Sequence, residues 1–193
     1  MTWWYAALIA VGVAIVLSVL AAALKRDWLA LPIVLVIGYV LALRVAGATT
    51  PTGPWFAPLL ALGLVILATA GGGPLVGFVL RVIVKSPQKA GKHGGIVLAD
   101  DERDAHDEKK RSTRVGHEVL RGGATIGYLE RFGLVGSILV GQPAAIAIIV
   151  AVKGLGRFTE LDSAAARERF IVGTLGSLIW AATCAAAISG TWA

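Results

Sequence analysis

The chain has 193 residues; 56% are hydrophobic, 16% are charged, and the mean hydropathy is +0.77. A soluble domain is roughly a quarter charged, so the composition excludes a disordered protein, a collagen and an ordinary soluble enzyme. The net charge of +6, from 18 Lys and Arg against 12 Asp and Glu, would suggest nucleic acid in a soluble protein. No basic patch interleaved with aromatics is present, and retention of Lys and Arg in cytoplasmic loops explains the excess better. The expectation is an all-α polytopic membrane bundle of about five transmembrane helices, forming one membrane domain over residues 1–193.

The first apolar block runs from Trp3 to Leu24 without a charge. Its 22 residues reach about 33 Å, enough to cross a bilayer. Ala21-Ala22-Ala23 resembles a signal-peptide cleavage site. However, no Lys or Arg precedes Trp3, and the apolar run is too long for such a segment. The second block spans Trp28 to Ala46, with Pro32 in its first turn, where a missing N–H is harmless. Arg44 near its far end can snorkel to the interface.

The third block spans Trp55 to Leu80 and is interrupted by Gly71-Gly72-Gly73-Pro74. Two readings compete. One is a long kinked span; the other is a span ending near Ala70, followed by a short strand or surface segment over Phe78–Lys85. The fourth block, Phe132 to Val152, contains Gln142-Pro143, and Pro143 is expected to kink one helix. Gln142 is then the one strongly polar side chain near mid-membrane, where an amide needs a partner. The fifth block is the Ala-rich stretch Phe170 to Ser189.

Charge sets an orientation. In a five-span arrangement, thirteen Lys and Arg share the side of Lys25-Arg26 and residues 81–131, against five on the other: Arg44, Lys153, Arg157, Arg167 and Arg169. The positive-inside rule then places the N-terminus outside, the basic loop 81–131 in the cytoplasm and the C-terminal end inside. Trp3, Trp4, Tyr5, Trp28, Trp55 and Phe56 stand at block edges as an aromatic belt.

Small residues recur every fourth position at Ala10, Ala14, Ser18 and Ala22; at Gly133, Ser137, Gly141 and Ala145; and at Gly173, Ser177, Ala181 and Ala185. Such faces let helices approach closely in lipid. They predict a tight antiparallel pair of the fourth and fifth blocks, and they could equally support a homo-oligomer.

Chemical motifs are sparse. Asp100, Asp101 and Asp104 have a spacing that can hold Mg²⁺ against a diphosphate. They lie in a charged run that also reads as a solvated loop, without the second acidic motif that enzymes acting on isoprenoid diphosphates carry. His93, His106 and His117 have no metal-site spacing. Gly91-Lys92-His93-Gly94-Gly95 does not match a P-loop. No catalytic constellation and no cofactor motif is visible. The scarcity of mid-membrane carboxylates argues against a proton-coupled transporter. Charges at the block edges, including Glu130, Arg131, Lys153, Arg157 and Glu168, read as helix anchors that bind anionic lipid headgroups.

Three ordered elements occupy residues 121–189: G-x-x-I-G-x-L-E-R at 123–131, K-x-x-x-R-F at 153–158 and E-x-F-x-x-G-T-L-x-S at 168–177. Together they resemble a family of bacterial multi-pass membrane proteins classified as a domain of unknown function. The resemblance implies a bacterial plasma-membrane setting and supplies no activity. It raises Glu130, Arg131, Lys153, Arg157 and Glu168 above the other charges as candidate functional residues. Some relatives carry His, Asp and Gln in the first span; this chain has no ionisable side chain of that kind there. The leading expectation is a non-catalytic membrane component that packs against itself or a partner. The alternatives are a small transporter or channel component, and an enzyme on lipid-linked phosphates.

Overall fold

A computed structural model describes residues 2–51, 53–83, 123–157 and 164–189. The described residues are helical, in the order α1 (Thr2–Leu24), a 3-10 turn (Asp27–Ala30), α2 (Leu31–Val45), α3 (Phe56–Ile83), α4 (Gly123–Leu139), α5 (Ala144–Arg157) and α6 (Ala164–Ser189). Four segments are long and apolar enough to cross a membrane: Thr2–Leu24, Asp27–Val45, Phe56–Ile83 and Ala166–Ser189.

α1 buries Trp4, Ala7, Val11, Ala14, Ser18 and Ala21. That alternating three- and four-residue step is the seam of a helix packed lengthwise on a neighbour. Its large side chains Ile9, Val13, Val16 and Val19 stay exposed, as lipid-facing groups should. The buried face thus keeps Ala14 and Ser18 of the expected small-residue stripe but turns Ala22 outward. The Ser18 hydroxyl donates to the Ala14 carbonyl at 2.8 Å, so it enters the interior without an orphan donor.

α3 is the central helix. Tyr5 meets Phe56 edge to face, Val11 packs at Gly63, Ser18 packs at Gly71 and Asp27 packs at Gly77, so α1 and α3 run parallel. α2 returns antiparallel along α1: Tyr39 Oη donates to the Trp3 carbonyl, and Trp4 Nε1 donates to the Ala48 carbonyl. α6 runs antiparallel to α3. Gly173 lies by Leu80 and Val76, while Trp180 Nε1 donates to the Ala68 carbonyl at 3.1 Å.

The third block is therefore one helix of 28 residues with Pro74 inside it, the single long span of the two readings. The segment after Pro74 stays helical to Ile83 rather than becoming a strand. Burial against α1, α4 and α6 outweighs the local cost of three glycines and a proline, because packing commonly overrides helix propensity.

The fourth block departs from expectation. It is two helices, not one kinked helix. α4 ends in a glycine stop: Gly141 has φ +72°, its N–H donates to the Ile138 carbonyl, and the Gln142 N–H donates to the Ser137 carbonyl at 2.8 Å. That is the pair of hydrogen bonds with which a left-handed glycine closes a helix. Pro143 has no N–H to satisfy and precedes the start of α5. Glu130 pairs with Lys153 and Gly133 packs at Ile149, so α4 and α5 form an antiparallel hairpin with its tip at Gly141-Gln142-Pro143. The fourth block meets the fifth chiefly through α4, which lies along α6, and not through Gly141. Gly141 is exposed at the tip, and α6 lies along α3 and α4.

Candidate functional site

Arg131 is 5% exposed, although guanidinium groups are almost never buried without a reason. The sequence that encloses it is the glycine run of α3. A Cβ at Gly72 would collide with Arg131 Cδ and stand 2.9 Å from Trp180 Cδ1, so only glycine leaves room for both side chains there. Arg131 Nε donates to the Thr69 carbonyl at 2.8 Å, and Nη1 donates to Ser177 Oγ at 3.3 Å. The guanidinium also lies over the Tyr128 ring, 5.2 Å from its centroid.

Pro74 lies inside the same helix, five and six residues beyond the two carbonyls that side chains of other helices reach. The proline itself lacks the N–H that would bond the Ala70 carbonyl four residues back. The carbonyls of Ala68 and Thr69, in the turn that precedes, receive outside donors from Trp180 of α6 and Arg131 of α4. Thr69 sits thirteen residues from Phe56 and fourteen from Ile83. The bound guanidinium is thus near the midpoint of a helix about 42 Å long, far from either end.

Next to it, Glu130 pairs with Lys153 across the hairpin; their side chains are 10% and 19% exposed. The Lys153 ammonium lies 5.9 Å from the centroid of the Phe170 ring on α6. Glu130 Oε1 and Thr174 Oγ1 are buried and lack a hydrogen-bond partner among the described residues. Phe170, Thr174 and Ser177 follow one another at helical spacing, so one face of α6 carries the contacts to both cations. Among the described residues, the carboxylate beside Arg131 is committed to Lys153. The cluster therefore holds two cations and one anion, with hydroxyls around them.

The sequence placed Glu130 and Arg131 at a membrane edge. They lie inside because α4 begins at Gly123, two turns upstream of the apolar block. With Glu130 in the interior, a scarcity of carboxylates no longer speaks against coupled transport. Gln142, expected at mid-membrane, is exposed in the hairpin tip, because Gly141 stops the helix. Glu168 is exposed and stands apart from the cluster. Arg157 ends α5, and its side chain lies outside the described residues, as do Asp100, Asp101 and Asp104.

Two features escaped the sequence reading. Asp27 forms an ion pair with Arg81 at 2.9 Å and occupies the space above Gly77, pinning the turn after α1 to the end of α3. Arg44 folds back over the Trp4 ring at 5.2 Å rather than simply extending from the helix end. That contact joins residues on two different helices, and nothing in the residues next to Trp4 or Arg44 signals it.

The small-residue faces are used within the chain. Ser177, Ala181 and Ala185 of α6 are buried, with Gly173 beside Val76 and Leu80 of α3. They provide no separate support for a homo-oligomer. In comparisons with known proteins, no family model, no curated protein and no solved structure matches this chain.

Proposed function

We propose that this protein is a small transport or channel component of a membrane, with Glu130, Arg131 and Lys153 forming the polar station that a charged solute meets inside the bundle. The observation that carries this reading is a buried Arg131 with the mostly enclosed Glu130–Lys153 pair beside it, on a broken-helix hairpin. Such groups are costly in lipid and generally mark solute or ion paths. Short helices that stop within the bundle are the usual supports of such sites. The packing-component reading loses the small-residue faces as its motive, and the lipid-linked phosphate reading has only Asp100, Asp101 and Asp104 behind it.

The setting proposed with it is a bacterial plasma membrane, as the resemblance over residues 121–189 implies. The N-terminus faces outside and residues 81–131 face the cytoplasm, on the strength of the basic excess in that stretch. Anionic headgroups are the expected neighbours of the edge cations.

Purified protein in liposomes provides the test. The wild type is expected to pass at least one member of a panel of ions and small charged solutes faster than protein-free liposomes. Lys153→Met and Glu130→Gln are expected to lower that flux at least tenfold with helicity unchanged. Folded wild-type protein that conducts none of the panel, or variants that conduct as well as it does, would overturn the reading.

A further inference from the structure

We infer that the α4–α5 hairpin enters and leaves the membrane from the same face, the one carrying the basic loop, so that the connection between Arg157 and Ala164 is cytoplasmic and the end of α6 faces outside. This stands whether or not the charged centre moves a solute. It reverses the placement of the C-terminal end that a five-span reading gives.

Three observations carry it. First, α6 is antiparallel to α3, as the contacts of Gly173 with Leu80 and of Trp180 with Ala68 require. The start of α6 therefore lies at the level where α3 ends. Second, α5 ends at Arg157 and α6 begins at Ala164. That stretch of chain reaches at most about 25 Å when fully extended, less than the ~30 Å of a hydrocarbon core. Lys153 over the ring of Phe170 places α5 beside the first turns of α6 as well. The end of α5 thus shares the face of the α3 end. Third, α4 and α5 are antiparallel through the Glu130–Lys153 and Gly133–Ile149 contacts, so α4 also starts on that face.

The charges then fall in a simpler pattern. Lys25, Arg26, Arg81, the nine Lys and Arg of residues 84–122, Arg157, Arg167 and Arg169 attach to one face. Arg44 alone attaches to the other, while Arg131 and Lys153 lie within the bundle. Arg157, Arg167 and Arg169, which contradicted the positive-inside rule in a five-span reading, now obey it. The hairpin's turn is also suited to depth in lipid. Its Gly141 and Gln142 N–H groups are bonded within the turn, and Pro143 has none, so little backbone is left that needs water. The open end of the hairpin faces the cytoplasm, and Glu130 lies about 10 Å inside it along α4.

Single cysteines at Thr50, Ala105, Asp162 and Thr191, each in the Cys184→Ala full-length chain, test this in intact cells with a membrane-impermeant maleimide. Cysteines at 50 and 191 are expected to react from outside, and those at 105 and 162 only after permeabilisation. A C-terminal fusion to an enzyme active only outside the cytoplasm is expected to be active, which checks the result without new cysteines. Reaction of 105 and 162 in opposite compartments, or an inactive fusion with 191 protected, would overturn the same-face hairpin. Reaction of 105 and 162 together from outside would overturn the orientation.

Discussion

The two halves of this bundle handle polarity in opposite ways. α1, α2 and the first half of α3 pack through apolar seams and keep their charges at helix ends: Arg44 lies over Trp4 near one end, and Asp27 pairs with Arg81 near the other. The second half of α3, with α4, α5 and α6, puts Arg131 at the midpoint of the central helix and the Glu130–Lys153 pair close beside it. The difference begins in the sequence of α3. Its first half presents Phe56, Leu60, Leu64 and Leu67 to the core, while its second half presents Gly71, Gly72 and Pro74. Leucines fill the seam; glycines leave a cradle in which a guanidinium and an indole reach the helix's own carbonyls. An interior charge in this protein is thus prepared by the helix that receives it.

The largest effect that separates the halves should come from Lys153→Met. It leaves the Glu130 carboxylate buried without its partner, and breaking such a pair costs about 3–5 kcal/mol. Arg44→Met, at the bundle's edge, should change stability by less than about 0.5 kcal/mol. Thermal unfolding in detergent measures both, and equal small losses would erase the distinction.

Glycine substitutions sharpen the comparison next. Gly72→Ala should destabilise by roughly 1–3 kcal/mol through overpacking against Arg131 and Trp180. Gly12 and Gly38 have nothing within 4 Å of an added Cβ, so alanine at either should be neutral or stabilise by up to about 1 kcal/mol. A comparable loss at Gly12 and Gly72 would mean that the cradle is not tight.

Arg131→Met should cost about 1–3 kcal/mol, because the interior hydrogen bonds to the Thr69 carbonyl and Ser177 Oγ are lost. Relief from burying a charge opposes that loss. Arg131→Lys should recover little, since an ammonium cannot reach two acceptors with the guanidinium's fixed fork. Full recovery by lysine in the same unfolding assay would show that charge alone, not shape, holds the cradle.

A further loss, smaller than that at Lys153, is expected at the hairpin tip. Gly141→Ala forces a side chain into the left-handed region and should cost about 1–2 kcal/mol, while Gly141→Asn should cost less because asparagine tolerates that conformation. Equal losses for both would indicate that Gly141 acts through packing instead of its backbone angle.

The membrane blocks and the all-helical class were legible because uncharged apolar runs of this length match the thickness of a bilayer, and helices satisfy their own backbone there. Their packing was less so. The first stripe was placed within one residue of the true seam, since Ala14 and Ser18 belong to both a four-residue and a heptad-like step. The hairpin was hidden by reading Gln142-Pro143 as a kink. The neighbouring Gly141, followed within two residues by proline, is a helix stop signal that could have revealed it. The interior position of Glu130 and Arg131 was hidden for a different reason. The stretch from Gly123 is amphipathic and resembles an interfacial segment until the cradle in α3 is known. Arg131 finds its acceptors 62 and 46 residues away in the chain, and no local pattern reports such pairings.

A double-mutant cycle between Glu130→Gln and Lys153→Met, read by thermal unfolding in detergent, tests the interior charged pair most directly. Buried side chains that compensate each other should couple, with an interaction energy of about 2 kcal/mol or more and the double variant more stable than Lys153→Met alone. Additive losses within about 0.5 kcal/mol would place the two groups apart or in water, and would contradict a charged centre inside the bundle.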